Sequence, residues 1–278
     1  MSIALRFAVP LLLALAAATP APAAETVAPP TQSWSFAGPF GRFDQAQLQR
    51  GFKVFREVCV TCHTLERVAF RNLTEPGGPG FAPEEIETLL ADWPVQVKTT
   101  NDQGEPVERA PRLADRFPSQ YANEAAARTV HNGALPPDLS VIAKARTYER
   151  GFPLWVTDIF TQYNENGVDY IAALLTGYAE APQDVAVPQG SYYNRYFPGH
   201  VLAMAPPLSD GQVEYADGTP ATTAQHAKDV AAFLMWAAEP HLEARKRIGL
   251  QVMLFLMVFC GLLYFTKKKV WRRVVGHA

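Results

Sequence analysis

Cysteine is scarce in this chain: three in 278 residues, with Cys59 and Cys62 together in FREVCVTCHTL and Cys260 alone near the far end. That scarcity excludes a disulfide framework. It also leaves a structural zinc site without a second cysteine pair, so zinc would have to draw on scattered histidines. Internal repeats and low-complexity linkers are lacking too, apart from a proline-rich start around Ala28 to Thr31. Base is in short supply through the middle: residues 24–244 hold 27 Asp and Glu against 16 Lys and Arg, a balance of −11. Such a surface argues against nucleic acid as a partner and for a cationic one.

What is present begins with Cys59-x-x-Cys62-His63. A thioredoxin-like dithiol needs no adjacent histidine and normally sits in a βαβ context. Covalent haem needs what the pentapeptide supplies, two thiols for the two vinyl groups and an imidazole for the iron. Haem is therefore the favoured reading, with a redox dithiol as the alternative.

Haem iron takes a sixth ligand, and a methionine opposite histidine suits electron transfer. Met1 belongs to the leader, Met253 and Met257 to an apolar segment, and Met235 to a helix where a methionine usually fills core space. Met204 remains, in YYNRYFPGHVLAMAPPL, stiffened by Pro206 and Pro207. Tyr192, Tyr193, Tyr196 and Phe197 in the same loop are suited to wall a haem face from water. His200 is the second choice of ligand; His131, His226 and His241 are weaker ones.

The two ends are apolar. Arg6, LLLALAAA and APAA have the layout of a secretory signal over residues 1–23, cleaved after residue 23 or 24. Export fits the cysteines, because haem c is mounted outside the bacterial cytoplasm. Ile248 to Phe265 is an 18-residue run with Gln251 as its only strongly polar side chain, enough with its flanks for a transmembrane anchor over 245–267. The basic tail 268–278, with Lys267 to Arg273 around its start, marks the cytoplasmic side. The domain of residues 24–244 is then periplasmic on a single-pass tether in the inner membrane. Its acid concentrates in two stretches, one over residues 73–108 and one with Asp158, Glu165, Asp169, Glu180 and Asp184 uninterrupted by any base. Either could steer a cationic partner.

The element pattern is mainly α, helices joined by long loops. Asp44 caps a helix with Leu48, Phe52 and Phe55 on one face, leading into Cys59. Pro83 opens a short helix; Glu124 to Val130 is another, ending at Asn132-Gly133. Asp138 is expected to cap LSVIAKAR, and VDYIAALLTGY to stop near Gly177. Thr222-x-x-Gln225 reads as a capping box for a helix interrupted by Pro240. Residues 98–107 and 211–220 read as possible hairpins.

The ordered series VCVTCHTL, APRLADRFPSQY, NGALPPDLSVIAKAR, DYIAALLTGY, YFPGHVLAMAPPL, VEYADGTPATTAQHAKDVAAFLMWAAEP and ARKRIG closely resembles the cytochrome c1 family over nearly the whole mature length. The resemblance implies a cytochrome c-like haem domain with long loop insertions and one C-terminal transmembrane helix. It implies a single covalently attached haem c, thioethers at Cys59 and Cys62, and iron ligation by His63 and Met204. It also implies that the carbonyl of Pro137 lies near the axial histidine and that Arg146 and Tyr170 approach the haem propionates. Many relatives have an asparagine pair where this chain has His131-Asn132. The implied work is electron transfer inside the quinol:cytochrome c oxidoreductase (bc1) complex, a dimeric assembly. The implied partners are cytochrome b and the Rieske iron–sulfur protein, with a soluble or membrane-tethered c-type cytochrome as acceptor. The chain by itself is then no catalyst, although the complex is.

Overall fold

A computed structural model describes residues 27–148, 151–161 and 166–275. The expected leader and Glu165 lie outside the described residues. Helix α1 (Gln45–Glu57) starts where Asp44 accepts a hydrogen bond from the Gln47 amide, and it buries Leu48, Phe52, Val54 and Phe55 along one stripe. Cys59–Thr61 continues it as a single 3-10 turn, and a second such turn covers Phe70–Thr74. Helix α2 (Pro83–Ala91) has Pro83 in its first turn with Glu84 and Glu85, acids that suit the positive helix end. Strands β1 (Val97–Thr100) and β2 (Pro106–Arg109) pair antiparallel with Val97 opposite Arg109. That is the hairpin expected there.

Helix α3 (Glu124–Val130) is capped by Asn123, and Asn132 and Gly133 then turn the chain with positive φ. Helices α4 (Ile142–Ala145), α5 (Leu154–Thr161) and α6 (Asn166–Thr176) follow, then a two-residue ribbon of β3 (Tyr192–Tyr193) and β4 (Val201–Leu202). Helix α7 (Thr223–Ala238) is buried almost all round. Helix α8 (Leu242–Val275) runs 34 residues, about 51 Å at the α-helical rise.

The core forms where α1 crosses α7, with α4 and α6 packed on the other flank of α7. Gly51 sets the crossing distance: a Cβ there would lie 2.1 Å from the Asp229 carbonyl oxygen and 2.6 Å from the Phe233 Cβ. Phe233 is wholly buried between Phe52 and Phe55, at ring separations of 5.7 and 5.8 Å. Phe70, Phe117 and Trp93 extend this aromatic layer under the 3-10 turns. Burying each such ring contributes about 1.5–3 kcal/mol, so the crossing is the main stabilising contact.

Three local expectations are corrected. Asp138 does not cap α4; its carboxylate accepts from the amides of Glu66 and Ser140 and from the Thr64 hydroxyl, because the neighbouring chain offers better donors than the short helix. The capping box at Thr222 is half made. Thr222 accepts from the Gln225 amide, but the Gln225 side chain turns to the buried Asp229 carboxylate. Residues 211–220 form no strand. Their polar groups are taken by α7 and α1 instead: the carbonyl of the fully buried Val213 accepts from His226 Nε2 at 2.9 Å, Lys53 donates to the Glu214 carbonyl and Arg50 to the Asp217 carboxylate.

Helix α8 leaves the domain apolar and uncovered. Residues 242–272 contain a window of mean hydropathy 2.3 that is nowhere buried against the rest of the chain. This helix is long and apolar enough to span a membrane, and it continues without a break into the basic tail. Cys260 lies on it, exposed.

Candidate functional site

The backbone of the cysteine motif is a tight turn. The amides of Cys62 and His63 both bond the Cys59 carbonyl, at 3.1 and 2.9 Å, so both thiols and the imidazole leave one short arc of chain. Burial, with a smaller contribution from the neighbouring Cys62, pushes the Cys59 thiol up to about 12. A redox dithiol works through a thiolate of lowered pKa, so this environment opposes the dithiol alternative. Thioether formation has no such requirement of the folded state.

His63 is held by a strand-like zipper. The Leu139 amide donates to the Thr64 carbonyl, Asp138 accepts from Thr64 and Glu66, and Ser140 Oγ accepts from the Arg67 amide at 3.0 Å. This pins residues 137–140 beside residues 63–67, and it sets the Pro137 carbonyl 2.8 Å from His63 Nδ1. A carbonyl only accepts, so Nδ1 carries the proton and Nε2 carries the lone pair. Among the described residues Nε2 has no hydrogen-bond partner. Burial lowers the His63 pKa, opposed by the bond to Pro137, which favours the neutral imidazole that metals bind.

Met204 sits half-buried in a loop tied back to the end of α6. Tyr178 donates its hydroxyl to the Met204 carbonyl at 3.0 Å. Asn194, fully buried, donates to the Leu174 carbonyl and accepts from the amides of Tyr196 and Phe197. A Cβ on Gly177 would strike the Tyr196 ring at 2.5 Å, so the loop closes directly onto the helix end. Burial raises the Tyr178 pKa, with Tyr170 and Tyr192 adding to it; Tyr170 is likewise raised by burial and eased down by Arg146. Tyr170, Tyr178, Tyr192 and Arg146 are thus brought into one another's fields. Arg146 ends α4, with its side chain exposed.

His226, His200 and His131 are engaged elsewhere, and His241 is exposed. His226 is in the core, His200 Nδ1 contacts the Asn194 carbonyl at 3.2 Å, and Met235 is fully buried in α7. His131 Nε2 lies 2.6 Å from the Tyr121 hydroxyl, and Gln120 Nε2 donates to the Val60 carbonyl inside the cysteine turn. Gln120 and Tyr121 were not singled out from sequence as site residues; the signal available was only their place in APRLADRFPSQY. Of the five acids expected as one face, Asp158 and Asp169 are buried. Asp169 accepts from Trp34 Nε1 at 2.8 Å and from the Gln32 amide. Glu180 and Asp184 stay exposed, as do Glu84, Glu85, Glu87 and Asp92 around α2.

The donor set fits a haem: two thiols on one turn, a neutral imidazole with a free Nε2, and a thioether sulfur on an independently braced loop. With helices packed as α1 on α7, these features place the chain among cytochrome c-like haem proteins that carry an added C-terminal apolar helix.

Comparison with known proteins narrows the class. The Cytochrome C1 family profile matches residues 34–274. The chain is similar to cytochrome c1 of Blastochloris viridis, 63% identical over 277 residues, which cover 99% of this chain and 98% of that protein. It is similar to cytochrome b/c1 of Bradyrhizobium diazoefficiens, 57% identical over 87% of this chain and 35% of that protein. The mitochondrial cytochrome c1 haem protein of Saccharomyces cerevisiae is 45% identical over 87% of this chain and 72% of its own length. The chain belongs to the cytochrome c1 family, whose members are the haem-bearing subunit of the bc1 complex.

Proposed function

We propose that the chain is the membrane-anchored electron-transfer subunit of a quinol:cytochrome c oxidoreductase, taking an electron from the Rieske iron–sulfur protein and passing it to a c-type cytochrome. In this reading Cys59 and Cys62 would hold one haem through thioethers, and His63 Nε2 and the Met204 sulfur would ligate its iron. When bound, the haem supplies a one-electron iron couple. The chain's own residues do the rest. Pro137 fixes the ring plane and tautomer of His63, and Tyr178 and Asn194 hold the Met204 loop against recoil. The tyrosines of that loop exclude water, and Arg146 and Tyr170 offer a charge and a hydroxyl to the propionates.

The leader 1–23 would direct residues 24–244 to the periplasm, 245–267 would cross the inner membrane, and 268–278 would remain in the cytoplasm. Cytochrome b is the natural neighbour in the membrane, since the Bradyrhizobium relative is named for both proteins. A dimeric complex follows from the same reading. The observation that carries it is the hydrogen bond from His63 Nδ1 to Pro137 O, which leaves the Nε2 lone pair unpartnered among the described residues, on the histidine that directly follows the cysteine pair.

The test is purification from detergent-solubilised membranes, then a haem stain on a denaturing gel and identification of co-purifying subunits. Haem that stays with the chain through denaturation, beside a b-type cytochrome and an iron–sulfur subunit, is the expected result. Two titratable thiols and no retained haem would return the dithiol alternative.

A further inference from the structure

The segment 33–43, SWSFAGPFGRF, holds four aromatic side chains, and they are treated unequally. Trp34 and Phe36 are buried, and Phe43 packs on Phe36 at 4.9 Å between rings. Phe40 is 75% exposed. It stands at the tip of a closed turn. The Arg42 amide bonds the Ser35 carbonyl, the Ala37 amide bonds Trp34, Gly38 has φ 72, and a Cβ on Gly41 would lie 2.1 Å from the Ala37 oxygen. The backbone therefore holds Phe40 outward.

The turn is fixed to α8 at two levels. On its base side the Phe43 amide donates to Glu243 Oε1 at 2.9 Å; on its tip side the Phe36 carbonyl accepts from the buried Lys246 at 2.5 Å. Glu243 precedes Lys246 by about 4.5 Å of helix rise, so the turn runs along α8 in the direction of its apolar stretch. Lys246 stands about 3 Å before Ile248, where that stretch begins, and the headgroup layer is about 5–7 Å thick. The tip is thus directed toward the hydrocarbon border. Arg42 in the turn and Arg247 on α8 are exposed, whereas Arg245 is paired with Glu239.

We propose that the Gly38–Gly41 turn is a second membrane contact, with Phe40 inserted among lipid headgroups beside α8 and Arg42 and Arg247 at the phosphates. An aromatic ring is suited to that boundary, and the surface it would join is the uncovered apolar face of α8 itself. Two contacts, one helix and one loop, would fix the tilt of the haem domain over the bilayer. The inference rests on the anchoring role given to α8 above.

The experiment uses the full chain in its native membranes, with the photo-crosslinking residue p-benzoylphenylalanine at Phe40 in one variant and at Leu256 in another. Retained haem reports folding of each. Phospholipid adducts at both positions are expected by mass spectrometry. Lipid adducts at Leu256 but only protein adducts at Phe40 would make the turn a subunit interface and overturn the proposal. Lipid adducts at Leu256 with none of any kind at Phe40 would leave the turn in water, and would overturn it as well. Failure to label lipid at Leu256 would overturn the anchoring reading and this inference with it.

Discussion

At the scale of single residues, the site is governed by which atoms are already spoken for. His63 has one nitrogen committed to Pro137, and Met204 has its backbone held by Tyr178; among the described residues the other His63 nitrogen and the Met204 sulfur make no hydrogen bond. Replacing Met204 with Leu keeps the apolar volume and removes the sulfur. The midpoint potential should fall by on the order of 0.1–0.3 V, a fraction of the roughly 0.8 V that axial ligands span. The haem stain should be unchanged. Redox titration of the purified complex measures the first arm and a haem-stained denaturing gel the second, and an unchanged potential would hand the ligand role to His200. His200 is braced through Nδ1 to Asn194, which makes it a loop-closing residue first.

At the scale of elements, two contacts carry the domain. The first is the α1–α7 crossing at Gly51. Gly51→Ala gains helix propensity, but the added methyl meets backbone oxygen at 2.1 Å, and backbone has no room to yield. Overpacking of this kind should destabilise by about 1–3 kcal/mol net, read as a lowered denaturant midpoint by circular dichroism.

The second contact is the junction of α7, α4 and α8 at Glu239, which accepts from both Lys144 and Arg245. Burial pushes the Glu239 carboxyl up, but the hydrogen bonds from Arg245 and Lys144 outweigh it and hold the pKa below the usual 4.5. A depressed carboxylate gives its full stabilisation above the unfolded value and loses it as pH falls through the folded one. Acidification below about pH 4.5 should therefore loosen the junction. Glu239→Gln should be less stable at neutral pH and should show a flatter loss of stability below that point. Thermal midpoints taken across the pH range check the slope.

At the scale of the whole molecule, an acidic domain of net −11 is tethered beside a strongly basic helix end. Steering of a cationic cytochrome should make the association rate fall as ionic strength rises, with screening complete over about 8 Å at physiological salt. The structure changes which acids are worth testing. Asp158 and Asp169 are buried and would damage the fold, whereas Glu84 and Glu87 on α2, and Glu180 with Asp184, are exposed. Reversing each exposed pair to Lys in turn should slow reduction of the acceptor only for the pair on the docking face, leaving the haem spectrum alone. A rate flat with salt, measured by stopped flow, would end the steering idea.

The sequence by itself determined what depends on neighbours along the chain. The Asp44 and Thr222 caps, the Pro83 helix start, the Asn132-Gly133 turn and the apolar run after Ile248 are all local preferences of a few residues, and each appears where the pattern put it. The cysteine motif was legible for the same reason, since its chemistry is written in five consecutive residues. Only the tertiary structure decided where donors and acceptors find partners over long separations. Asp138 caps nothing and instead zips Pro137 to His63 across more than 70 residues of chain. The 211–220 segment gives its carbonyl to His226 rather than to a partner strand. Two acids counted as surface charge are interior because Trp34 and the start of the chain fold over one of them. Periodicity reports which face of an element is apolar; it carries no information about which distant polar group will compete for a bond, and those competitions set the geometry of the site.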